Sequence, residues 1–285
     1  MKTKTTLGIL TLIVGMLLTA CAGAAATATA APATVAPTAE PTSAFLADLG
    51  GREITVAVEN AYLPFNYITK GAASAAGWDY DVIPAICALI NCKPVFVEAS
   101  WDTMIQSVAD GLFDVAGDGI TISEERSKNV DFSDGYVTVE QRLLVRKGET
   151  RFADMDTFSK NVELILGTQV NTTNYETAAG LIPETRIKAF DTFPFAVQAL
   201  ISGDIDAVII DEIPGMGYVA KTPDALELVG PTISSDQLGF AFPKGSDLIA
   251  PFNLAIAAMK ADGSLEAINK KYFGPDFILT YDDIE

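Results

Sequence analysis

Segments with the patterns of strands and helices alternate along most of this chain, in two successive series. In the first series, residues 53–58 alternate polar and apolar side chains at the period of a β-strand. The pattern then predicts a helix at 80–90, a strand at 94–98, a helix at 101–111 and a strand at 112–116. This β-α-β-α-β order predicts an α/β fold with a parallel sheet and helices on its faces.

A second series follows the extended segment 142–146, which leaves the first unit. The pattern predicts strands at 162–166, 186–190 and 207–210, with helices at 172–180 and 193–202 between them. The run 207–210 is wholly apolar, as expected of a central parallel strand, and it ends directly at Asp211. A strand at 239–242 and two helices separated at Gly263 complete the chain.

Both series place polar residues at the ends of their strands. The loop 117–126 follows the third strand; its glycines let a guest approach the backbone, and Arg126 carries a planar donor group suited to a carboxylate. Asp211 stands at a corresponding corner of the second series. Because α/β sheets bind ligands at the carboxyl ends of their strands, two lobes facing a shared cleft would clamp a small molecule.

These residues also have purely structural interpretations. Arg126 would suit a solvated side chain after a surface turn. Asp211 would suit a cap on the turn that Pro214 and Gly215 suggest. The residues by themselves leave these alternatives open.

The N-terminal residues have the pattern of a secretion signal. Lys2 and Lys4 precede an apolar stretch at 7–18, which is too short for a membrane span and typical of a signal-peptide core. The sequence Leu-Thr-Ala-Cys at 18–21 resembles the bacterial lipobox, which predicts a lipoprotein signal peptide at 1–20 and lipidation of Cys21. An ordinary secretory signal with an incidental cysteine is the alternative.

Residues 21–44 consist almost wholly of alanine, threonine and proline. Such a segment cannot bury a core, so we expect a disordered tether between a lipid anchor and the folded part. Three prolines in the segment argue against a helix over its alanines.

The chain has three cysteines and no histidine. If Cys21 carries lipid, Cys87 and Cys92 remain, and outside the cytoplasm a pair this near in sequence suits a disulfide that closes a helix end. Free thiols are the alternative, since the sequence does not fix their geometry. Two cysteines without histidine make a poor ligand set for a metal.

The formal net charge of −18 restricts the kinds of binding partner that we expect. It argues against nucleic acid and against an anionic membrane surface. It suits cationic or zwitterionic guests, although acidity also serves solubility.

Eight stretches, taken in order, resemble one protein family. They are VAVENAYLPF at 56–65, GWDYDV at 77–82, SWD at 100–102, GLFDV at 111–115, GITISEER at 119–126, VDFS at 130–133, GDIDAV at 203–208 and MKADGSL at 259–265. Over roughly residues 52–274 the chain resembles the extracellular solute-binding proteins of amino-acid ABC importers, in the polar-amino-acid branch. No single stretch is specific, whereas their order and spacing are.

The resemblance implies a type II periplasmic-binding-protein clamp, in which each of two lobes has a mainly parallel sheet flanked by helices. Lobe 1 would comprise residues 45–142 and 239–285, and lobe 2 residues 143–238 including the return hinge. The hinge would be two crossing strands near 139–143 and 231–238.

The resemblance also implies how a zwitterion is held. Arg126 would bind its α-carboxylate, helped by backbone N–H groups at Thr172 and Thr173, where a helix begins. Asp211 would bind the α-ammonium, and the candidates near it are the Thr121 hydroxyl and the Gly119 carbonyl. The two threonines at the helix start also suit N-caps whatever binds there. Asn171 stands where the family usually has glycine, which makes the Thr172 and Thr173 assignment less secure.

The remaining candidates surround the ligand side chain. Tyr62 and Trp101 would flank it, although both also suit core aromatics. Glu59 lies where the family often keeps an acid, and Asp118 replaces a small residue beside the pocket. Together these two acids favour a polar or cationic side chain, such as that of arginine, lysine, histidine or glutamine; as rim charges they would simply face water.

The function implied is that of a monomeric, cofactor-free binding protein outside the cytoplasm. It would be held to the membrane only by its lipid anchor, capture an L-α-amino acid and deliver it to the transmembrane subunits of an ABC permease. A dehydratase-like enzyme on the same fold is the alternative, with Glu59 or Asp211 as general acid. The lack of histidine and of a G-x-S-x-G motif argues against it. A receptor's sensing module, the third option, would require a transmembrane helix after the lobes.

Overall fold

The computed structural model of the chain describes residues 45–284, apart from Pro275, Ile278 and Asp282. The predicted signal peptide, the tether and Cys21 lie outside the described residues. None of the helices in the described part is both long and apolar enough to cross a membrane.

Thirteen strands and eight α-helices are assigned in the described residues. The strands are β1 (Arg52–Val58), β2 (Ala61–Tyr62), β3 (Asn66–Ile68), β4 (Ala75–Ala76), β5 (Cys92–Glu98), β6 (Val115–Ala116), β7 (Val130–Phe132), β8 (Val137–Arg146), β9 (Leu166–Gln169), β10 (Ile187–Phe190), β11 (Ala207–Asp211), β12 (Leu226–Leu238) and β13 (Ala241–Pro243). The helices are α1 (Trp78–Ile90), α2 (Trp101–Ala109), α3 (Met155–Lys160), α4 (Thr173–Leu181), α5 (Phe193–Ser202), α6 (Glu212–Lys221), α7 (Ile249–Asp262) and α8 (Ser264–Phe273).

Each lobe is built on a five-stranded mixed sheet. The first sheet has the order β5-β1-β6-β13-β7, and the second has the order β10-β9-β11-β8-β12. In the first sheet β1 runs parallel to both neighbours, and β13 runs antiparallel to both of its own. In the second sheet β9 is the parallel strand and β8 the antiparallel one. The predicted two-lobed α/β architecture with mainly parallel sheets is confirmed, because four strands of each sheet run in one direction and a single strand, β13 or β8, runs against them.

The antiparallel pairings have a topological cause. Strand β8 enters the second sheet from the first lobe, and β13 enters the first sheet after the chain returns, so neither follows a right-handed βαβ crossover. Along its length β8 pairs with β12, with a register shift between Val229 and Ser234. Thr121 forms an isolated antiparallel bridge with Leu238, where β12 reaches the first lobe.

Several element boundaries differ from the prediction, and three of the differences are as follows. Of the strand predicted at 112–116, only Val115–Ala116 pairs. The strand predicted at 162–166 instead spans Leu166–Gln169, because the Asn161 side chain accepts a hydrogen bond from the backbone of Glu163 and turns the chain there. The polar segment after the loop 117–126 forms one 3₁₀ turn, Arg126–Lys128.

Cys87 and Cys92 are joined by a disulfide, with an S–S distance of 2.02 Å. The bond spans the turn between α1 and β5, where Asn91 takes a left-handed conformation with φ of 53°. It ties the end of a helix to the start of an edge strand.

Candidate functional site

One cavity between the two lobes brings together every ligand-binding candidate named from the sequence. It is lined by Glu59, Tyr62, Trp101, Asp118, Gly119, Thr121, Arg126, Gln169, Thr172, Thr173, Asn174, Phe193 and Asp211. Gln169, Asn174 and Phe193 escaped the sequence analysis. The position of Asn174 in the first turn of a helix that starts at the cleft was a usable signal. Gln169 was missed because the strand that contains it, β9, was predicted too early in the chain.

The first-lobe wall is made by two loops at the ends of parallel strands. Glu59 directly follows β1, and Asp118 to Thr121 follow β6. Gly119 has φ of +57°, and a Cβ built on it would lie 2.9 Å from the Tyr62 ring. A side chain at this position would therefore push the aromatic wall aside, which explains the need for glycine.

Arg126 is a buried cation, with 7% of its surface exposed. Its Nη1 donates to the Thr121 carbonyl at 3.0 Å, and its Nη2 donates to the Asn171 carbonyl at 3.2 Å. The guanidinium lies 5.2 Å from the centre of the Trp101 ring. Burial lowers the pKa of Arg126. Because the side chain is buried, the solvated-arginine interpretation is wrong. Within the residues described, the structure forms no ion pair to it.

Asp211 ends β11 on the opposite wall and is buried. Its Oδ2 accepts a hydrogen bond from the Tyr62 hydroxyl at 2.7 Å, and its Oδ1 accepts one from Asn174 Nδ2 at 3.1 Å. Burial raises the pKa of Asp211, while these two hydrogen bonds oppose the rise. Although Asp211 precedes α6, its side chain makes no capping hydrogen bond, so the cap interpretation is wrong.

Both aromatic candidates combine packing with exposure to the cavity. Tyr62 stacks between Phe65 and Phe193, at ring distances of 5.4 and 5.8 Å. The Trp101 Nε1 donates to the Val170 carbonyl of the other lobe at 3.1 Å. The alternative of core aromatics therefore holds in part, since these rings are buried and also form the wall.

The start of α4 is organised as expected of a helix N-terminus. Thr172 caps it by accepting a hydrogen bond from the backbone of Tyr175 at 3.1 Å. Thr173 reaches across the cleft to Thr121, with their hydroxyl oxygens 3.3 Å apart. Asn171 has φ of 58°, a conformation that glycine adopts most readily and asparagine tolerates, so its presence there does not distort the loop.

The two acids differ in exposure but share an environment. Asp118 is 2% exposed and Glu59 is partly buried, so the rim interpretation is wrong for Asp118. Burial raises the pKa of Glu59 to about 8, and the negative charge of Asp118 adds to the effect. Burial likewise raises the pKa of Asp118 to about 7, against hydrogen bonds from the Asn66 side chain and the Glu59 backbone. Gln169 Nε2 of the second lobe donates to Glu59 Oε1 at 3.0 Å.

The described residues contain no cluster of three or more side chains able to hold a metal ion. The chemistry that the cavity offers is instead that of charged and polar recognition. Among the described residues, one wall presents an arginine without a carboxylate partner, and the other presents an aspartate that accepts hydrogen bonds from neutral donors. Such an arrangement can hold a guest that carries both charges.

Comparison with known proteins identifies a family and relatives that this chain resembles. Residues 54–275 match the family described as bacterial extracellular solute-binding proteins, family 3. The L-cystine-binding protein TcyJ of Escherichia coli (strain K12) is 31% identical over 227 residues, which cover 78% of this chain and 83% of that protein.

Two solved structures resemble this one in fold and sequence. An ancestral arginine-binding protein bound to arginine matches with a TM-score of 0.73 and 32% identity, covering 78% of this chain and 98% of that one. The ancestral amino acid-binding protein AncCDT-1, a precursor of cyclohexadienyl dehydratase, matches with a TM-score of 0.71 and 31% identity, covering 78% and 95% respectively.

Proposed function

The chain belongs to the family 3 bacterial extracellular solute-binding proteins, and on that premise we propose that it captures an L-α-amino acid for an ABC importer. The observation that carries the proposal is the pairing of buried Arg126 and buried Asp211 on opposite walls of one cavity. A zwitterion supplies the two charges that these walls lack. Charge-assisted hydrogen bonds in a site shielded from water are the strong kind.

The α-carboxylate would lie against Arg126, with Thr121 and the backbone N–H groups at the start of α4 as further donors. Helix N-termini favour anions, and this one faces the cavity through Thr172 and Thr173. The α-ammonium would lie against Asp211, where it would share or replace the Tyr62 hydrogen bond, with the Gly119 carbonyl nearby.

Glu59 and Asp118 would select a polar or cationic side chain. They carry the only acidic groups of the cavity besides Asp211, within the residues described. Trp101 and Tyr62 would provide the apolar flanks on which the aliphatic part of such a side chain packs.

Closure of the lobes would accompany capture. Direct hydrogen bonds already cross the cleft between Trp101 and Val170, between Arg126 and Asn171, and between Gln169 and Glu59. We assign residues 45–142 and 239–285 to the first lobe and 143–238 to the second, with β8 and β12 as the hinge. The closed pair of lobes is the form that a permease's transmembrane subunits would receive.

The location would be outside the cytoplasm. We propose that residues 1–20 are a lipoprotein signal peptide, that Cys21 is lipidated, and that 21–44 tether a monomeric binding body to the membrane. The Cys87–Cys92 disulfide supports an oxidising compartment.

A dehydratase activity is the second candidate. It is supported by the likeness to the precursor of cyclohexadienyl dehydratase and by Glu59, whose raised pKa suits a proton donor near neutral pH. The likeness to binding proteins for cystine and arginine favours capture without turnover.

A thermal-shift screen of the common amino acids, followed by calorimetry on the hits, tests the proposal. We expect arginine, lysine, histidine or glutamine to raise the melting temperature in a concentration-dependent way, since a ligand that binds only the folded state stabilises it. Leucine or glutamate binding more tightly than all four would overturn the side-chain preference. Turnover of prephenate or arogenate would favour the enzyme.

A further inference from the structure

We infer that Glu59 and Asp118 hold an exchangeable proton at the side-chain end of the cavity, and that a ligand with a distal cation binds by displacing it. This inference rests on the proposed function and names the ligand class within it. Amino acids with a guanidinium or ammonium group would bind with release of a proton to the solvent. Amino acids with a neutral polar side chain would not.

The two ends of the cavity carry different charged groups. The carboxylates that act most on Arg126 are those of Glu176, Asp211 and Asp236. Those that act most on Glu59 are Asp118 and Asp102. Within the described residues, no hydrogen bond or ion pair joins Arg126 to Glu59 or Asp118, so these two acids lack a cationic partner.

No cation in the described part of the chain pairs with Glu59 or Asp118. Arg126 is the one basic side chain among the described residues that line the cavity. The carboxyl groups that interact with the pair are Asp79 on α1 and Asp102 on α2, and the phenols that do so are Tyr62, Tyr80, Tyr136, Tyr218 and Tyr281. All of these groups are neutral or negative near pH 7, so none can neutralise the pair.

Few hydrogen bonds stabilise the ionised forms of these acids: Glu59 accepts one from Gln169, and Asp118 accepts one from the Glu59 backbone besides that of Asn66. A single amide nitrogen, Nδ2 of Asn66, donates to both Asp79 and Asp118. Oδ1 of Asp79 and Oδ2 of Asp118 are buried and have no partner. Asp118 lines the cavity, so its unpartnered oxygen belongs to a side chain that a ligand can reach.

Buried carboxyls that share so few donors cannot all carry charge, because each ionised group lacks solvent and repels its neighbours. A bound proton relieves this repulsion because it neutralises one carboxyl group. A guest cation would relieve it better, because both acids line the cavity that would hold it. The proton then leaves one carboxyl for the buffer, both carboxyls are ionised, and the guest's charge takes its place.

The same geometry discriminates against a second carboxylate at this end. A guest such as cystine carries a distal carboxylate as well as a distal ammonium. Within the described lining residues, the side-chain end offers that carboxylate no basic partner. We therefore expect a monocarboxylate with a distal cation to be preferred.

The test is calorimetric titration of the full folded protein with L-arginine and with L-citrulline, its neutral isostere. Measuring each titration in two buffers of different ionisation enthalpy gives the number of protons released. Near pH 7 we expect arginine to release about one proton and citrulline none. Because the free pair binds the proton and the complex does not, arginine affinity should rise about tenfold per pH unit below the pair's titration and level off above it.

Single substitutions test whether Glu59 and Asp118 hold the proton. Glu59→Gln should remove the proton release that accompanies arginine binding and flatten the pH dependence of arginine affinity. The amide oxygen of the variant still accepts a hydrogen bond from Gln169. Glu124→Gln, on an exposed residue of the same lobe, should leave both unchanged. Asp118→Asn is the second test of the pair, with the same result expected as for Glu59→Gln.

The outcomes separate the two proposals. Arginine binding with no proton release, or with equal release in Glu59→Gln, Asp118→Asn and the parent, would overturn the inference and leave the proposed function standing. Failure of every amino acid to bind would overturn the proposed function, and this inference with it.

Discussion

Two buried arginines, one at the cleft and one in the core of the second lobe, have similar surroundings and different hydrogen bonding. Arg126 is 7% exposed and Arg186 is 8% exposed. Each lies over an aromatic ring, 5.2 Å from Trp101 and 5.5 Å from Phe158 respectively. Arg126 donates to two carbonyls, whereas Arg186 donates to four.

The difference in hydrogen bonding separates a structural cation from one available to a ligand. Arg186 donates hydrogen bonds to the carbonyls of Phe158, Ser159, Asn161 and Leu164. These residues lie at the end of α3 and in the segment that leads to β9. Arg126 faces the cavity and keeps donor capacity that the protein does not use. Burial alone would have given both residues the same role.

Two carboxylates differ in hydrogen bonding as well, although both of them line the cavity. Asp211 has both oxygens hydrogen-bonded, and Asp118 has one oxygen without a partner. The second-lobe acid is thus held in place to receive a charge, while the first-lobe acid lacks compensation until a ligand or proton supplies it.

The largest effect should come from Arg126→Ala. Removing the guanidinium leaves the α-carboxylate without its cation, so we expect binding to weaken by about 4 kcal/mol, roughly a thousandfold. Calorimetry with the best ligand from the screen measures this loss. Arg52→Ala, on a surface residue of the same lobe that pairs with Asp114 and Asp247, is the matched control and should bind normally. Retained affinity in Arg126→Ala would remove this residue from the site.

The next effect concerns Arg186→Ala, which should lower the free energy of unfolding by about 3 kcal/mol or more. Its loss leaves four carbonyls short of donors and opens a cavity against Phe158. Denaturant unfolding measures the change. Arg151→Ala, on a more exposed arginine over Phe152 in the same lobe, should cost far less. If Arg186→Ala and Arg151→Ala destabilised the protein equally, the number of hydrogen bonds that an arginine donates would not identify it as a structural residue.

The smallest effect is the pH dependence of stability that Glu59 causes. Burial and Asp118 raise the pKa of Glu59 from 4.5 to about 8, so the folded state binds more protons than the unfolded state between these values. The contribution of Glu59 to stability should therefore be largest below this window and be lost as pH rises through it. Glu59→Gln should reduce this pH-dependent loss by about 1–2 kcal/mol. Parallel curves for variant and parent, from denaturant unfolding between the two pH limits, would contradict this.

Much of the fold could be predicted because local patterns sufficed. The helix at Phe193–Ser202 and the strand ending at Asp211 follow from apolar runs with clear ends. The misplaced strand before Gln169 was a local failure, since one asparagine side chain turned a segment whose alternation looked extended. The antiparallel strands were missed because they depend on how the chain passes between lobes.

The candidate site was predictable as a set of residues and not as a set of contacts. The loop at a strand end identified Arg126 because α/β sheets bind ligands there, whereas Asp118 was identified from the family resemblance. Asn66, which donates to two of the buried acids, was not identified, since it lies one residue past the stretch at 56–65 and its acid partners are distant in sequence.

The sequence by itself determined the alternation of strands and helices, the glycine-bearing loop with its arginine, and the excess of acid, because each depends on residues near one another in the chain. Only the tertiary structure decided which charges are compensated. Tyr62 and Asp211 are 149 positions apart and meet at 2.7 Å across the cleft. Asn66 and Asp118 are 52 positions apart and meet in the first lobe. Burial and hydrogen bonding are set by such distant partners, and they distinguish a charge that holds the fold from one that awaits a ligand.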